Sequence, residues 1–221
     1  DTVLDRGTHA FSPEEFEAVA NAENALILDV RHQNDFVKGH VPQSVFIGID
    51  GSFAPWVGAL VGDVKQPLLL ICEPGREEET VTRLSRVGFD QTLGYLKGSF
   101  EAWKNAGKDY DTISSVSASE FEEQVNRENT PIFDVRKDSE YASERLEKAH
   151  NTPLDFINDY INRFPTKGSF FVHCAGGYRS VIAASILKKR GIHNLIDVQG
   201  GFKAIRETEL EKTAYVCPST L

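Results

Sequence analysis

The 221-residue sequence predicts an α/β fold built twice, as two tandem units of about 100 residues, each a mostly parallel sheet flanked by helices. Three observations predict it. The same landmarks recur in the same order at a nearly constant offset. Short apolar runs alternate with stretches of helical spacing. In each half, one apolar run ends on a cysteine that is followed by a turn and a helical stretch.

The duplication is read first, because a missed repeat miscalls the fold. Ser12-Pro13-Glu14-Glu15-Phe16 is echoed by Ser117-Ala118-Ser119-Glu120-Phe121, and Leu28-Asp29-Val30-Arg31 by Phe133-Asp134-Val135-Arg136, both 105 positions later. Gly98-Ser99-Phe100 is echoed by Gly200-Gly201-Phe202, and Cys72 by Cys174, both 102 positions later. The expected domains are 1–112 and 113–221, divided within the polar stretch Lys108-Asp109-Tyr110-Asp111-Thr112-Ile113-Ser114-Ser115.

Within each unit the elements follow in order. Ser12-x-x-Glu15 and Ser117-x-x-Glu120 are capping-box signatures, and Pro13 suits a first helical position. Phe16 with Val19, and Phe121 with Val125, give the spacing of a buried helical face. The runs ALILDV, PLLLIC and TLGYL in the first unit, and PIFDV, GSFFVHC and NLIDV in the second, have the length of strands buried on both faces of a parallel sheet. The helical stretch after each cysteine ends at Gly88 or Gly191, the residue type favoured just past a helix C-terminus.

Composition excludes several classes. A net charge of −9 argues against nucleic-acid and anionic-membrane partners, which demand clustered positive charge. No run approaches the roughly 18–20 apolar residues of a membrane helix, and DTVLDRGTHAFSPEEF lacks the apolar core of a secretory signal. Three cysteines, Cys72, Cys174 and Cys217, do not make a disulfide framework, and a reducing, cytoplasmic setting is expected. No His, Cys or Asp cluster has metal-ligand spacing, so neither metal nor cofactor is expected.

Chemistry is concentrated at the second cysteine. Cys174 stands where the strand FFVH ends and the helix SVIAASILKKR begins, and ligands of open α/β sheets bind beyond the carboxyl ends of strands. Ala175, Gly176 and Gly177 leave the backbone almost bare, so that consecutive N–H groups can form an anion-binding nest beside a helix N-terminus. Such surroundings favour a thiolate, the nucleophilic form of cysteine. Arg179 adds a permanent cation, and no Asp or Glu occurs from Cys174 to Ile196. A cysteine that only packs at a strand end needs none of this.

At these residues the chain resembles the rhodanese family over nearly its whole length. Cys174-Ala175-Gly176-Gly177-Tyr178-Arg179-Ser180 matches the family's C-x-x-G-x-R loop. Asp134-Val135-Arg136 matches its early D-x-R element, and Val198-Gln199-Gly200-Gly201-Phe202 its late G-G-x motif. The first unit carries Asp29-Val30-Arg31, Gly39-His40-Val41 and Gly98-Ser99-Phe100-Glu101-Ala102-Trp103 in the corresponding places. The resemblance implies a sulfurtransferase in which Cys174 takes a sulfane sulfur from thiosulfate or a persulfide such as glutathione persulfide. It then passes the sulfur to a thiol, or to cyanide in an assay, without a cofactor. Ala175, Gly176, Gly177, Tyr178, Arg179 and Ser180 would bind the substrate, with Tyr178 and Arg179 at the entrance. Phosphatases and arsenate reductases of related architecture place five residues between Cys and Arg. Here there are four, a smaller cradle suited to one sulfur atom.

The first unit departs from the pattern. In Cys72-Glu73-Pro74-Gly75-Arg76-Glu77, Glu77 stands where the family has Arg and Arg76 falls one place early. Three consecutive glutamates, Glu77 to Glu79, outweigh the half charge of a helix N-terminus, so this unit is expected to be structural rather than catalytic. A rhodanese-like interaction module in which Cys174 is also idle is the alternative outside enzymology. Tandem units of this kind also resemble the C-terminal part of proteins that join a metallo-β-lactamase-like persulfide dioxygenase to rhodanese domains. The resemblance implies that the chain, if it is such a fragment, has its partner domain N-terminal to Asp1; it does not begin with Met, as a processed product or a piece of a longer protein would not. Among the remaining residues, Asp29 and Asp134 are expected to pair with Arg31 and Arg136 and brace their loops. His40, His173 and Trp56 are expected to pack, and so is Cys217.

Overall fold

The computed structural model describes residues 2–221; Asp1, the expected junction with any N-terminal partner domain, lies outside them. The chain separates into two compact units, Asp1–Thr112 and Ile113–Leu221. The first unit runs α1 (Thr2–Gly7), β1 (Ala10–Phe11), α2 (Pro13–Ala22), β2 (Leu26–Asp29), α3 (Gln33–Lys38), β3 (Val45–Phe46), α4 (Phe53–Val61), β4 (Leu68–Ile71), α5 (Glu77–Ser85), β5 (Thr92–Leu96) and α6 (Ser99–Asn105). The second runs β6 (Ser115–Val116), α7 (Ala118–Arg127), β7 (Ile132–Asp134), α8 (Asp138–Ser143), β8 (Ala149–Asn151), a 3₁₀ segment (Leu154–Arg163), β9 (Phe170–His173), α9 (Arg179–Lys189), β10 (Leu195–Val198) and α10 (Gly201–Ile205). A 3₁₀ segment thus replaces α4 of the first unit.

Each unit holds one five-stranded sheet, ordered β1-β5-β4-β2-β3 in the first and β6-β10-β9-β7-β8 in the second. All pairings are parallel. This is the two-sided burial that the continuous apolar runs predict, and every residue of β4 and β9, the strands that Cys72 and Cys174 directly follow, is buried. Phe16 on α2 and Trp103 on α6 pack with Leu69, Ile71 and Leu96 in the first unit, while Phe121 on α7 and Phe202 on α10 pack with Phe171 and Val198 in the second. Each such side chain contributes on the order of 2 kcal/mol by burial.

The helix punctuation is as the sequence reads, with one difference. Pro13 opens α2, and Gly88 and Gly191 adopt left-handed φ of +90° and +86° after α5 and α9. Ser117 and Glu120 form the full reciprocal capping box, whereas Ser12 only accepts from the Glu15 N–H. Trp56 is buried on α4, and His40 stacks on Phe36 with its Nδ1 2.9 Å from the Phe36 carbonyl. No helix among the described residues is long and apolar enough to cross a membrane. No group of three or more His, Cys, Asp or Glu among them could hold a metal ion.

In the second unit β9 lies between β10 and β7, so its carboxyl end is flanked by the turn into α10 on one side and by Asp134 to Arg136 on the other. That notch holds Cys174.

Candidate active site

Cys174 directly follows β9 and is 1% exposed. Gly177 takes a φ of +103°, a conformation that side chains resist, and its N–H turns back onto the sulfur with N 3.1 Å from Cys174 Sγ. The first turn of α9 adds Ser180, whose Oγ accepts from the thiol at 3.5 Å. From the other side α10 fixes the loop's carbonyls. The Phe202 N–H donates to the Cys174 carbonyl at 2.7 Å, and the Lys203 N–H to that of Ala175 at 3.0 Å. This approach depends on Gly201, because a Cβ there would lie 2.5 Å from the Cys174 oxygen and 2.7 Å from the Ala175 carbonyl carbon.

A second layer holds the notch. Arg136 donates to Asp134 through Nε at 3.0 Å and Nη2 at 2.7 Å, and its Nη2 reaches the Glu144 carbonyl at 2.8 Å. Its guanidinium lies 4.3 Å from the Phe202 ring centroid, so one cation ties together β7, the end of α8 and α10. Asp29 and Arg31 repeat the pair in the first unit, with Nη2 2.8 Å from the Gly39 carbonyl. His173 is fully buried, its Nδ1 donating to the Cys174 carbonyl at 3.0 Å. Burial holds its imidazole below the ordinary histidine range, so it is neutral at physiological pH.

Two carboxylates correct the expectation of a carboxylate-free field. Glu140, on α8, receives two hydrogen bonds from Arg179, at 2.7 and 2.9 Å, and this guanidinium holds the Glu140 carboxyl below its ordinary range. Asp197, on β10, is buried and hydrogen-bonded to Ser180; burial pushes its carboxyl up to about 7. Neither lies between Cys174 and Ile196; pairing of α8 and β10 with the loop brings them there.

Over the loop opens a pocket of about 490 Å³, whose walls include Ala175, Gly176, Arg136, Glu140, Lys203 and Tyr215. Tyr178 and Arg179, expected at the entrance, do not line it, and Arg179 is instead held by Glu140. Tyr215 reaches the pocket because the C-terminal tail is pinned through its backbone, the Val216 N–H donating to the Ser143 carbonyl at 2.8 Å. Cys217, two residues beyond Tyr215, is exposed rather than packed, with Sγ 3.0 Å from Ser219 Oγ.

The Rhodanese-like domain family matches the chain twice, over residues 12–106 and 117–208. The chain belongs to the rhodanese-like family. The thiosulfate sulfurtransferase GlpE of Stutzerimonas stutzeri is 30% identical over 94 residues, which cover 42% of this chain and 82% of that protein. Two Bacillus subtilis relatives are matched over only 56% and 57% of their own length. Among solved structures, a rhodanese-like domain protein from Staphylococcus aureus is 29% identical, covers 45% of this chain and 97% of that one, and gives a TM-score of 0.42. A thiosulfate sulfurtransferase from Pseudomonas aeruginosa is 19% identical over 94% of this chain and 44% of that one, with a TM-score of 0.41.

The first rhodanese-like domain has the same plan around Cys72, which is 2% exposed, but its loop is occupied from within. Gly75 corresponds to Gly177. Its N–H is taken by Glu77 Oε2 at 2.9 Å instead of by sulfur. Glu77 corresponds to Arg179, so the residue that replaces the cation also fills the anion's place. Arg76 turns away to Asp50 and Glu79, at 2.9 and 3.0 Å. Burial first, then the Glu77 and Asp29 charges, push the Cys72 thiol up to about 12 despite a contact with Thr80. Ser99 stands in the place of Gly201. Among the described residues no backbone hydrogen bond joins Phe100 or Glu101 to the Cys72 loop.

Proposed function

We propose that the second rhodanese-like domain is a sulfurtransferase that carries a sulfane sulfur as a persulfide on Cys174. The observation that carries this reading is the Gly177 N–H aimed at Cys174 Sγ beneath an open pocket, in a loop whose sister copy is closed by its own glutamate. The Cys174 thiolate attacks the outer sulfur of the donor. The donor's S–S bond breaks, and sulfite leaves from thiosulfate, or the glutathione thiolate from glutathione persulfide. The enzyme persulfide is again anionic at its terminal sulfur, and N–H donors of the loop stabilise such charge. An acceptor thiolate, or cyanide in an assay, then takes that sulfur and returns Cys174 as thiolate. Two half-reactions through one covalent intermediate give ping-pong kinetics. The first domain plays a structural part in this scheme.

Incubation with thiosulfate and, separately, with glutathione persulfide, followed by intact mass measurement, tests the reading. Wild type and Cys72→Ser gain one sulfur, and Cys174→Ser gains none. An absence of adduct with both donors overturns it, as does an adduct that survives the Cys174 substitution.

A further inference from the structure

One buried ionisable group in the second domain is unused by the sulfur chemistry. Asp197 sits inside the apolar run of β10, 3% exposed, with Oδ1 lacking any hydrogen-bond partner. A carboxyl in such a place is costly unless it is held neutral or bonded. Its one side-chain hydrogen bond is to Ser180. Ser180 in turn accepts from the Cys174 thiol at 3.5 Å. The three side chains form a directed chain: the thiol points at the hydroxyl, and the hydroxyl at the carboxylate.

The duplicate gives an independent comparison. At the 102-residue offset, Tyr95 stands in place of Asp197 and Glu78 in place of Ser180. The Cys72 thiol does point at a hydroxyl, that of Thr80 at 3.7 Å, but this hydroxyl donates to the Arg76 carbonyl at 2.8 Å, so the carboxylate end of the chain is present only in the domain with the open loop. His173 donates its Nδ1–H to the Cys174 carbonyl, and its Nε2 faces Asp134 at 3.9 Å; burial lowers its pKa and so weakens it as a base, and among the described residues no contact joins it to Cys174 Sγ.

We propose that Asp197 is a positioning residue that stores the Cys174 thiol proton by way of the Ser180 hydroxyl. This rests on the reading of Cys174 as the reactive thiol. The step is balanced. The Cys174 S–H bond breaks and its proton passes to Ser180 Oγ, while the proton of that hydroxyl passes to a carboxylate oxygen of Asp197. A thiolate and a carboxylic acid replace a thiol and a carboxylate, and the net charge of the buried site does not change. When Cys174 is released as thiolate at the end of a turnover, the return of the proton by the same route restores the resting pair.

Burial raises Asp197 to about 7, which places its proton uptake near neutral pH. Across the sheet its neighbours are Ser115 on β6 and Val172 on β9, and α9 supplies Ser180; apart from burial and Ser180, no group contributes to its shift. Around Cys174 the charged groups are Arg179, held by Glu140, and the Asp134–Arg136 pair, with neutral His173 before it.

The test is the pH dependence of iodoacetamide alkylation of Cys174, followed by intact mass, in the 221-residue chain with Cys72→Ser and Cys217→Ser, which leaves one thiol. Coupled groups titrate in two macroscopic steps. The parent shows two ionisations between about pH 5 and about pH 10, and Asp197→Asn loses one of them. Ser180→Ala gives the same single step, Ser180→Thr retains both, and Ser180→Ala/Asp197→Asn goes no further than either single change. A role in packing alone would change rates without changing the number of steps. An Asp197→Asn profile that superimposes on the parent overturns the proposal, and so does a Ser180→Ala profile that keeps both steps. Alkylation needs no sulfur donor, so this outcome is separate from the success of the persulfide reading.

Discussion

Gly201→Ser makes the sharpest test of how the Cys174 loop is held, because the chain already contains that substitution. Ser99, the equivalent residue of the first domain, adopts a φ of +58°, and Gly201 a φ of +57°. A serine at 201 therefore meets a backbone angle that its sister tolerates at a modest cost, and the larger part of the loss lies in the space. Its Cβ would stand 2.5 Å from the Cys174 oxygen and 2.8 Å from the Ala175 oxygen, both backbone atoms that cannot swing aside. The loop and α10 must part, and the bonds from the Phe202 and Lys203 N–H groups, 2.7 and 3.0 Å long, are lost. Two hydrogen bonds at about 1 kcal/mol each, with about 1 kcal/mol of left-handed strain, give a loss of about 3 kcal/mol. Urea denaturation reads the stability and sulfur uptake from thiosulfate reads the loop. Gly176→Ala is the control, since nothing lies within 4 Å of a Cβ at that position; it should stay within about 0.5 kcal/mol of wild type. If Gly201→Ser matches Gly176→Ala in stability and retains sulfur uptake, the argument that α10 holds the loop by close approach is refuted.

Further expectations concern charge and ionisation. Cys72→Ser should leave sulfur transfer within about twofold of wild type, since a thiol pushed up to about 12 is protonated at neutral pH; a loss like that of Cys174→Ser would show the first loop to be catalytic. Glu140→Gln frees Arg179, and the KM for thiosulfate at low salt should fall about fivefold, for roughly 1 kcal/mol of recovered attraction, with the gain fading as salt is added. An unchanged or higher KM would mean that the guanidinium does not act on the donor. Asp197 is an acid raised from 3.8 to about 7, so the stability it contributes is full below about 3.8 and is lost as pH rises through about 7. Between about pH 5 and about pH 8.5 wild type should lose on the order of 3 kcal/mol more than Asp197→Asn. Equal losses in urea titrations at the two pH values would remove the assignment.

What the sequence made legible, and what it did not, follows from the range of each interaction. The sheets, the helix starts at Ser12 and Ser117, and the glycines after α5 and α9 rest on runs and short spacings, and these were readable. So was the acidic loop of Cys72, because Glu77 acts two residues from the Gly75 N–H that it occupies. Glu140 and Asp197 were not read as parts of the site, since they reach Cys174 only through tertiary pairing, from 34 residues before it and 23 after. Each nonetheless left a signal. Glu140 stands three residues after Lys137, where a carboxylate reads as a helix cap, and it does accept the Lys137 N–H at 3.1 Å. That local role concealed the one toward Arg179. Asp197 is a carboxylate inside the run NLIDV, where a buried charge has no local reason to be.

The duplication turns such signals into a usable comparison, because the two copies share a backbone plan and differ in the side chains that make it reactive. Going from the first loop to the second, Glu77 becomes Arg179 and Ser99 becomes Gly201, while Glu78 becomes Ser180 and Tyr95 becomes Asp197. The first change empties the anion's place, and the second lets α10 grip the loop. The last two lay a hydrogen-bonded path from the sulfur to a buried acid. Replacing Glu77 with Arg alone should therefore leave Cys72 unreactive, because its thiol is raised by burial before any glutamate acts on it. A Glu77→Arg variant in a Cys174→Ser background that gained a stable sulfur adduct on Cys72 would show the opposite, that loop charge alone decides which copy works.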